Sequence, residues 1–431
     1  MLKKLQDYLV IGFALFAMFF GAGNLIFPPS LGRAVGSGYH VSSLGFLITG
    51  VGLPLMGIIS CMKSGGNFEN MAGRAGKWFA IITTTALMLS IGPMLAIPRT
   101  AATTFELSLQ PLFPNMSQLL GILLYFFVNL IFVLKPNSII DNIGKFLTPL
   151  LLTMLAIIIV KGIISPIGPI VDTNYSNVFT NSLLEGYQTM DAMASVIFAS
   201  IIIASVKSKG YRSEKEIVSA TLSSGLIAVL GLSFVYGGLL YLGAETSTLF
   251  GSDISRTKLV MEISQSVLGR FGTLALSISV GLACLTTSIG LTATGAEFFT
   301  KLSKGKISYT TNAFIITIAS IIIALKGVDI IVSFASPILQ ILYPVVIVLI
   351  ITGLFGKFIR NDKIIFITVR ITLLFSILAT LGSIVNNALI KNILNAIPLS
   401  SVGFTWVIPT VIAFVICYVV FNNEKKSLNN A

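Results

Sequence analysis

The sequence contains very little charge for its length, and this shortage decides the class of protein. Of its 431 residues, 55% are hydrophobic and only 10% are Asp, Glu, Lys or Arg. The mean hydropathy is +0.94. A water-soluble domain of this size needs far more charge to cover its surface. We therefore predict an all-α integral membrane protein whose principal partner is the lipid bilayer, because helices satisfy their own backbone in lipid.

Histidine and cysteine are also scarce, which removes several kinds of chemistry. His40 is the single histidine, and Cys61, Cys284 and Cys417 lie in or at the ends of apolar runs. Their spacing fits neither a metal site nor a disulfide framework. A Ser/His/Asp set cannot be built, and the sequence has no phosphate-binding loop. These absences argue against an enzyme and against a pump that needs an ATPase domain or subunit.

The apolar residues fall into runs that we interpret as about twelve transmembrane helices. Connections on the side of the N-terminus carry well over twice as many lysines and arginines as those on the other side. The positive-inside rule then predicts that both termini lie in the cytoplasm, and we expect the chain in the plasma membrane of a bacterial cell. The net charge of +12 reflects this distribution and not a nucleic-acid interface. The predicted segments are 8–35, 41–61, 78–106, 119–134, 143–164, 178–206, 216–243, 271–300, 308–325, 330–353, 364–382 and 403–421.

The first apolar run is interrupted over residues 19–29 and is too long for one straight spanning helix. Gly21 and Gly23 flank an alanine, Asn24 follows, and two prolines come one turn later. The glycines could serve close helix packing, but the asparagine and the prolines favour an unwound backbone. Unwound backbone at membrane depth must line a cavity or contact protein. A broken helix therefore points to a transported solute.

The sixth segment carries a second interruption, between Glu185 and Asp191. Charged side chains at the bilayer centre cost about 2.5–3.5 kcal/mol each, so they are retained for a purpose. Segments one and six are five apart, which predicts two five-helix repeats of opposite orientation. The repeats would comprise residues 1–165 and 166–355, with two appended helices in 356–431. The site is expected at the midplane, between broken helices 1 and 6.

The two interruptions offer both kinds of group that a zwitterion needs. The half-helix that starts near Asn24 presents free N–H groups and a positive dipole end, which suit a carboxylate. Open carbonyls and hydroxyls suit an ammonium group or Na⁺. We expect the ammonium at carbonyls near Phe20 and at Gln188–Thr189. The candidate substrate-binding residues are Phe20, Ala22, Gly23, Asn24, Gln188, Thr189 and Asp191.

Two ionisable residues near the interruptions allow more than one role. Asp191 could be a cation ligand, a proton carrier or a structural partner for the backbone of segment one. Arg99 is expected roughly 10 Å toward the outer face, at 1.5 Å per residue. There it would act as a gate or form an ion pair with Glu106 or Glu185.

Three motifs, Phe20–Pro29, Gly92–Glu106 and Gly186–Met193, resemble the bacterial branched-chain amino acid:cation symporter family. The resemblance extends over essentially the whole chain in segment number, order and motif placement. It implies import of L-leucine, L-isoleucine and L-valine with Na⁺ as the coupling ion and no organic cofactor. The rival hypothesis is a proton- or cation-coupled symporter for another amino acid or a nucleobase.

More distantly, segments one and eight are similar to sodium-coupled transporters of the five-plus-five inverted-repeat APC superfamily. Gly21–Asn24 matches their Gly-x-Gly-Asn stretch, and Ala283–Ser288 matches their Ala-Gly-Leu-Thr-Ser-Ser, with Cys284 in place of the glycine. The relatives have one more residue before the following Phe-Pro, which leaves the rotation of the outer half-helix open. A second sodium site at Asn24 is not secured by the match. The implied Na⁺ ligands are the carbonyls of Ala17, Phe20 and Ala283 and the hydroxyls of Thr286 and Thr287.

From the residues alone, those two threonines could equally be bonded to carbonyls one turn earlier in their own helix.

Overall fold

The computed structural model describes residues 2–134, 148–251, 253–385, 394 and 396–422, and the chain is helical through most of these ranges. Gly36 and Asp172 form an isolated antiparallel bridge, and the described ranges contain no strand beyond it. The first five residues of the predicted segment 143–164 and the tail from residue 423 lie outside the described residues.

Eighteen α-helices, three π-helical turns and one 3₁₀ turn make up the helical part of the described ranges. In the first half they are α1 (Leu2–Phe19), α2 (Ala22–Val35), α3 (Tyr39–Leu47), α4 (Leu53–Lys63), α5 (Phe68–Gly73), α6 (Lys77–Leu89), α7 (Ala96–Thr104), α8 (Gln110–Leu112), α9 (Gln118–Val133) and α10 (Thr148–Ile164). In the second half they are α11 (Val178–Tyr187), α12 (Asp191–Ser208), α13 (Glu214–Ala244), α14 (Arg256–Leu302), α15 (Tyr309–Ala324), α16 (Val328–Leu354), α17 (Asp362–Val385) and α18 (Val407–Phe421). The π turns are Ile48–Gly52, Ser90–Met94 and Phe105–Leu109, and the 3₁₀ turn is Ser400–Val402.

The lengths of these helices bear on the number of membrane spans. Among the described residues, seven helices are long and apolar enough to cross a membrane, or eight if the bent pair α1–α2 is one span. Four shorter apolar helices, α9, α10, α15 and α18, lie where segments four, five, nine and twelve were predicted. The described residues therefore contain seven or eight apolar helices of spanning length, and the count of twelve stays a prediction.

Serine caps and glycines set several helix ends. At the start of α13, the Ser213 hydroxyl accepts from the Glu216 amide at 3.3 Å, and the Glu216 carboxylate accepts from the Ser213 amide at 3.2 Å. This reciprocal capping box satisfies two amides that the helix itself leaves free. Gly327 precedes α16 with φ 82°, a conformation that favours glycine. The ends of α13 and α16 are therefore fixed by local sequence.

The long helix α14 contains a sharp change of direction at Gly269. This residue has φ 60° and ψ −147° inside a run of 47 residues. Residues 256–268 thus form a separate helical piece ahead of the apolar span. This piece occupies the connection between the predicted segments 216–243 and 271–300.

Helices α2 and α13 cross at two glycines. A methyl group added at Gly32 would overlap the carbonyl oxygen of Leu240, and one added at Gly243 would overlap the carbonyl oxygen of Pro29. Each glycine therefore lets the other helix's backbone come into direct contact. The crossing holds α2, the second half of the first broken helix, against α13.

Candidate functional site

Three helices are interrupted around one buried region. Helices α1 and α2 are bent by 70° at a break that contains Phe20 and Gly21. Helices α11 and α12 are separated by residues 188–190, where Met190 has φ 65°. The third break precedes α7, where Gly92 has ψ −121°. The segment with Gly92 carries one of the three sequence motifs, but no break was predicted there.

Asn24 joins the first break to two other helices. Its side-chain oxygen accepts from the Gly21 amide at 2.9 Å. Its amide nitrogen donates to Asp191 Oδ2 at 2.7 Å and also to the Tyr236 hydroxyl. Tyr236 in turn donates to the same Asp191 oxygen at 2.9 Å. Asn24 was predicted to bind substrate, but its side-chain amide donates its hydrogen bonds to Asp191 and Tyr236 of the protein itself. These bonds connect α2 to α12 and α13.

Tyr236 was missed by the sequence analysis. It is fully buried, and its ring lies 6.4 Å from Phe20 and 5.4 Å from Phe46 between ring centroids. A tyrosine within an apolar span must find a partner for its hydroxyl when it is buried. That is the one local signal that could have pointed to it.

The second break is held by Arg99. Its Nη1 donates to the Gln188 carbonyl at 2.7 Å, and its Nη2 donates to the Thr189 carbonyl at 3.4 Å. The cation on these two carbonyls is therefore a guanidinium of the protein, where the sequence analysis had expected the substrate's ammonium. The Gln188 side-chain oxygen is buried without a hydrogen-bond donor.

Arg99 lies closer to the breaks than the sequence predicts. The residue is 3% exposed and lines the same cavity as Asn24 and Asp191. The break before α7 turns this helix so that Arg99 points at the opened backbone of residues 188–189.

The ion pair of Arg99 with Glu106 or Glu185 is not formed. Glu106 accepts from the Thr257 hydroxyl at 2.6 Å and from the Val328 amide at 3.1 Å. Glu185 lines a separate cavity of about 240 Å³ with Gln188 and Gln340. The ion pairs within the described ranges are Arg74–Asp362, Arg256–Asp329 and Lys301–Glu297.

The five predicted Na⁺ ligands come together where α14 passes the first break. The Thr287 hydroxyl donates to the carbonyls of Phe20 at 3.3 Å and Ala17 at 3.5 Å. The Thr286 hydroxyl donates to the Ala283 carbonyl at 2.8 Å, the back-bonded arrangement weighed above. Together these residues offer three carbonyl and two hydroxyl oxygens. Such an all-oxygen set suits a hard monovalent cation.

A cavity of about 30 Å³ lies between the three breaks. It has room for a water molecule or two and is too small for an amino acid side chain. Polar groups line one part of it and apolar side chains the rest. The lining includes Gly21, Asn24, Arg99, Thr189, Asp191 and Thr287, with Ile91, Met190, Phe198 and Leu291 on the apolar side.

The ring of Phe27 lies between two arginines near this cavity. The Arg99 guanidinium carbon is 5.3 Å from the ring centroid, and that of Arg256 is 5.8 Å away. Arg256 also pairs with Asp329 at 3.1 Å, which connects α14 to α16. None of these roles for Phe27, Arg256 or Asp329 was predicted, because their contacts join segments far apart in sequence.

Comparisons with known proteins point to a family of transporters. The family model described as branched-chain amino acid transport protein matches residues 4–424. The branched-chain amino acid permease BraB of Bacillus subtilis is 38% identical over 442 residues, covering 98% of each chain. The branched-chain amino acid transport system 2 carrier protein of Pseudomonas aeruginosa is 34% identical, covering 96% of this chain and 95% of its own.

Solved structures show the same fold. Mhp1, a nucleobase-cation-symport-1 family transporter in a closed conformation with bromovinylhydantoin bound, has a TM-score of 0.65 at 13% identity, covering 95% of this chain and 90% of that one. MhsT in complex with L-phenylalanine has a TM-score of 0.56 at 16% identity, covering 94% and 98%. At such low identity these similarities concern the fold alone.

Proposed function

This chain belongs to the branched-chain amino acid transport protein family, and from that premise we propose that it imports L-leucine, L-isoleucine and L-valine by Na⁺ symport. The related carriers are transporters and permeases, so the protein is a transporter and not an enzyme. Import would proceed by alternating access, with substrate and Na⁺ bound together between the broken helices. Residues 1–165 and 166–355 would be the two inverted repeats that rock against each other.

The sodium proposal rests on one observation: Thr286 and Thr287 lie next to the open carbonyls of the first break. The Thr287 hydroxyl reaches both Ala17 and Phe20 across two helices. A cation bound there would take those carbonyls as ligands and connect α1 to α14. An inside-negative potential contributes about 2.3 kcal/mol per charge per 100 mV. One Na⁺ could thus support about 40-fold accumulation of a neutral zwitterion per 100 mV, at about 1.4 kcal/mol per tenfold.

The test is uptake of labelled leucine into proteoliposomes at fixed pH, with and without an inward Na⁺ gradient. We expect Thr286→Ala to lower Na⁺-driven uptake by at least about tenfold, because it removes a ligand oxygen. Thr294→Ala is the matched control. Thr294 lies on the same helix and bonds to the Gly290 carbonyl at 2.7 Å. It should transport like the wild type.

Two other results would change the proposal. Uptake driven equally well by a proton gradient alone would overturn Na⁺ as the coupling ion and make Asp191 the candidate proton carrier. Absence of leucine uptake under either gradient would remove the substrate assignment and favour the rival solutes, another amino acid or a nucleobase.

We also propose that both termini face the cytoplasm of a bacterial plasma membrane. The three cysteines are buried, so the natural chain should give little background with a membrane-impermeant maleimide. In intact cells, a cysteine at exposed Ser176 should be labelled and one at exposed Ser208 should be protected. Both should react after the membrane is permeabilised. Labelling of Ser208→Cys alone in intact cells would reverse the orientation.

A further inference from the structure

Arg99 and Asp191 place two buried, opposite charges on one cavity between the broken helices. We infer that they are the paired anchors of the substrate: Arg99 binds its carboxylate and Asp191 binds its ammonium group. The inference rests on the proposed function and deepens it. It replaces the earlier expectations that Arg99 is a gate and that open carbonyls alone hold the ammonium.

Arg99 has donors to spare. A guanidinium carries five N–H donors, and among the described residues only the carbonyls of Gln188 and Thr189 accept from Arg99. Its Nε is buried and has no hydrogen-bond partner among those residues. A buried donor without an acceptor is costly. A carboxylate that approached Nε and a neighbouring Nη would form the bidentate pair for which arginine is best suited.

The guanidinium also lies against the first turn of α2. A methyl group added at Gly23 would be 2.7 Å from Arg99 Nη2 and 3.1 Å from its Cζ. The first amides of a helix lack partners within the helix and form its positive end. A cation placed there is unfavourable on its own, and an anion bound to both groups offsets the repulsion. Two independent features thus converge on one carboxylate position.

Asp191 supplies the opposite charge. It is 2% exposed, and within the described ranges it has no ion-pair partner. The bonds from Asn24 and Tyr236 both end on Oδ2, and neither of them engages Oδ1. An unpaired buried carboxylate is expensive unless a cation joins it. The ammonium of an amino acid would neutralise Asp191 as its carboxylate neutralises Arg99.

This arrangement predicts that a ligand needs both charges. Loss of either would leave a buried charge facing an uncharged group, which polar sites reject strongly. The site must open beyond its present volume of about 30 Å³ to admit leucine. The apolar residues Ile91, Phe198 and Leu291 then remain to contact the aliphatic side chain.

The experiment measures affinity in the full-length, detergent-purified protein at saturating Na⁺, from ligand-induced shifts in thermal unfolding. The probes are L-leucine, 4-methylpentanoate, which lacks the amine, and 3-methylbutylamine, which lacks the carboxylate. We expect the wild type to prefer leucine over each analogue by at least about 100-fold. Arg99→Gln should lose about 100-fold for leucine but less than threefold for the amine. Asp191→Asn should lose about 100-fold for leucine but less than threefold for the acid.

Arg370→Gln and Glu245→Gln are the matched controls. The guanidinium carbon of Arg370 lies 3.3 Å from the ring centroid of Phe366, and the Glu245 carboxylate accepts from the Ile167 amide at 3.1 Å. Neither residue lines this cavity. They should keep the wild-type preference. If a neutral variant does not fold, Arg99→Lys and Asp191→Glu take its place. Each should keep the wild-type order of ligands with about tenfold weaker leucine binding, because the charge stays and the geometry changes.

The outcomes separate the two proposals. Equal weakening of all three ligands in each variant, or a wild type that binds the analogues as tightly as leucine, would overturn the charge-pair inference and leave leucine transport standing. A wild type that binds no leucine would overturn the proposed function, and the inference with it. The crossed pattern of losses supports both, because a purely structural role would not depend on which charge the ligand lacks.

Discussion

Replacement of Asn24 by leucine should reduce leucine uptake by at least about 100-fold per folded molecule. Asn24 is 1% exposed and bonds to the Gly21 amide, to Asp191 and to Tyr236. Leucine has a similar volume but leaves those groups without this partner. Each buried polar group that loses its partner costs about 1–3 kcal/mol. The first break would then lose its connection to α12 and α13, and Asp191 would lose its position on the cavity.

Labelled leucine uptake in proteoliposomes, normalised to the monodisperse protein recovered from size exclusion, measures this effect. Asn312→Leu is the matched control, because it also removes a buried asparagine. Asn312 donates to the Thr300 hydroxyl at 3.0 Å and to the Ile307 carbonyl at 3.4 Å, away from the cavity. Uptake by Asn24→Leu within threefold of the Asn312→Leu value would show that the network around Asn24 is not needed for transport.

Replacement of Gly243 by leucine should lower the free energy of unfolding by about 3 kcal/mol or more. This is the upper end of the cost of inserting atoms into a well-packed interior. The new side chain would have to occupy the position of the Pro29 backbone in α2, which cannot rotate away as a side chain can. Helix α2 carries Asn24 and the first break, so a displaced crossing also deforms the candidate site. Loss of folded transporter should therefore accompany loss of transport.

The measurement is thermal unfolding of purified protein, together with the monodisperse yield from membranes. Gly237→Leu is the matched control, because Gly237 lies on the same helix and a Cβ there would meet no neighbouring element of the described structure within 4 Å. Both changes raise helix propensity equally, so the difference between them isolates the crossing of α2 and α13. Equal stability of the two variants would contradict the role assigned to this crossing.

The class of the protein and the positions of its first two breaks could be predicted from the sequence. Hydropathy is a local property, and a chain with 10% charged residues has few ways to fold outside a membrane. Glycines next to Asn24 and polar residues from Glu185 to Asp191 are also local signals. The structure has helix ends at Phe19 and Tyr187, within or next to those predicted stretches.

The proximity of Ala17 and Phe20 to Thr286 and Thr287 came from the resemblance to sodium-coupled transporters, because no local pattern joins residues some 270 positions apart. The structure places these residues together. Their role as Na⁺ ligands remains a proposal for the uptake experiment.

By itself the sequence determined an all-helical membrane transporter of the branched-chain amino acid family and two of the three places where its helices open, because composition, hydropathy and motif are carried along the chain. Only the tertiary structure decided which groups meet at those openings. It turned Arg99 inward to the carbonyls of Gln188 and Thr189, and it brought Tyr236 to Asp191. The reason is physical: opened backbone and buried charge must find partners, and packing of distant helices determines which partners lie within hydrogen-bonding distance.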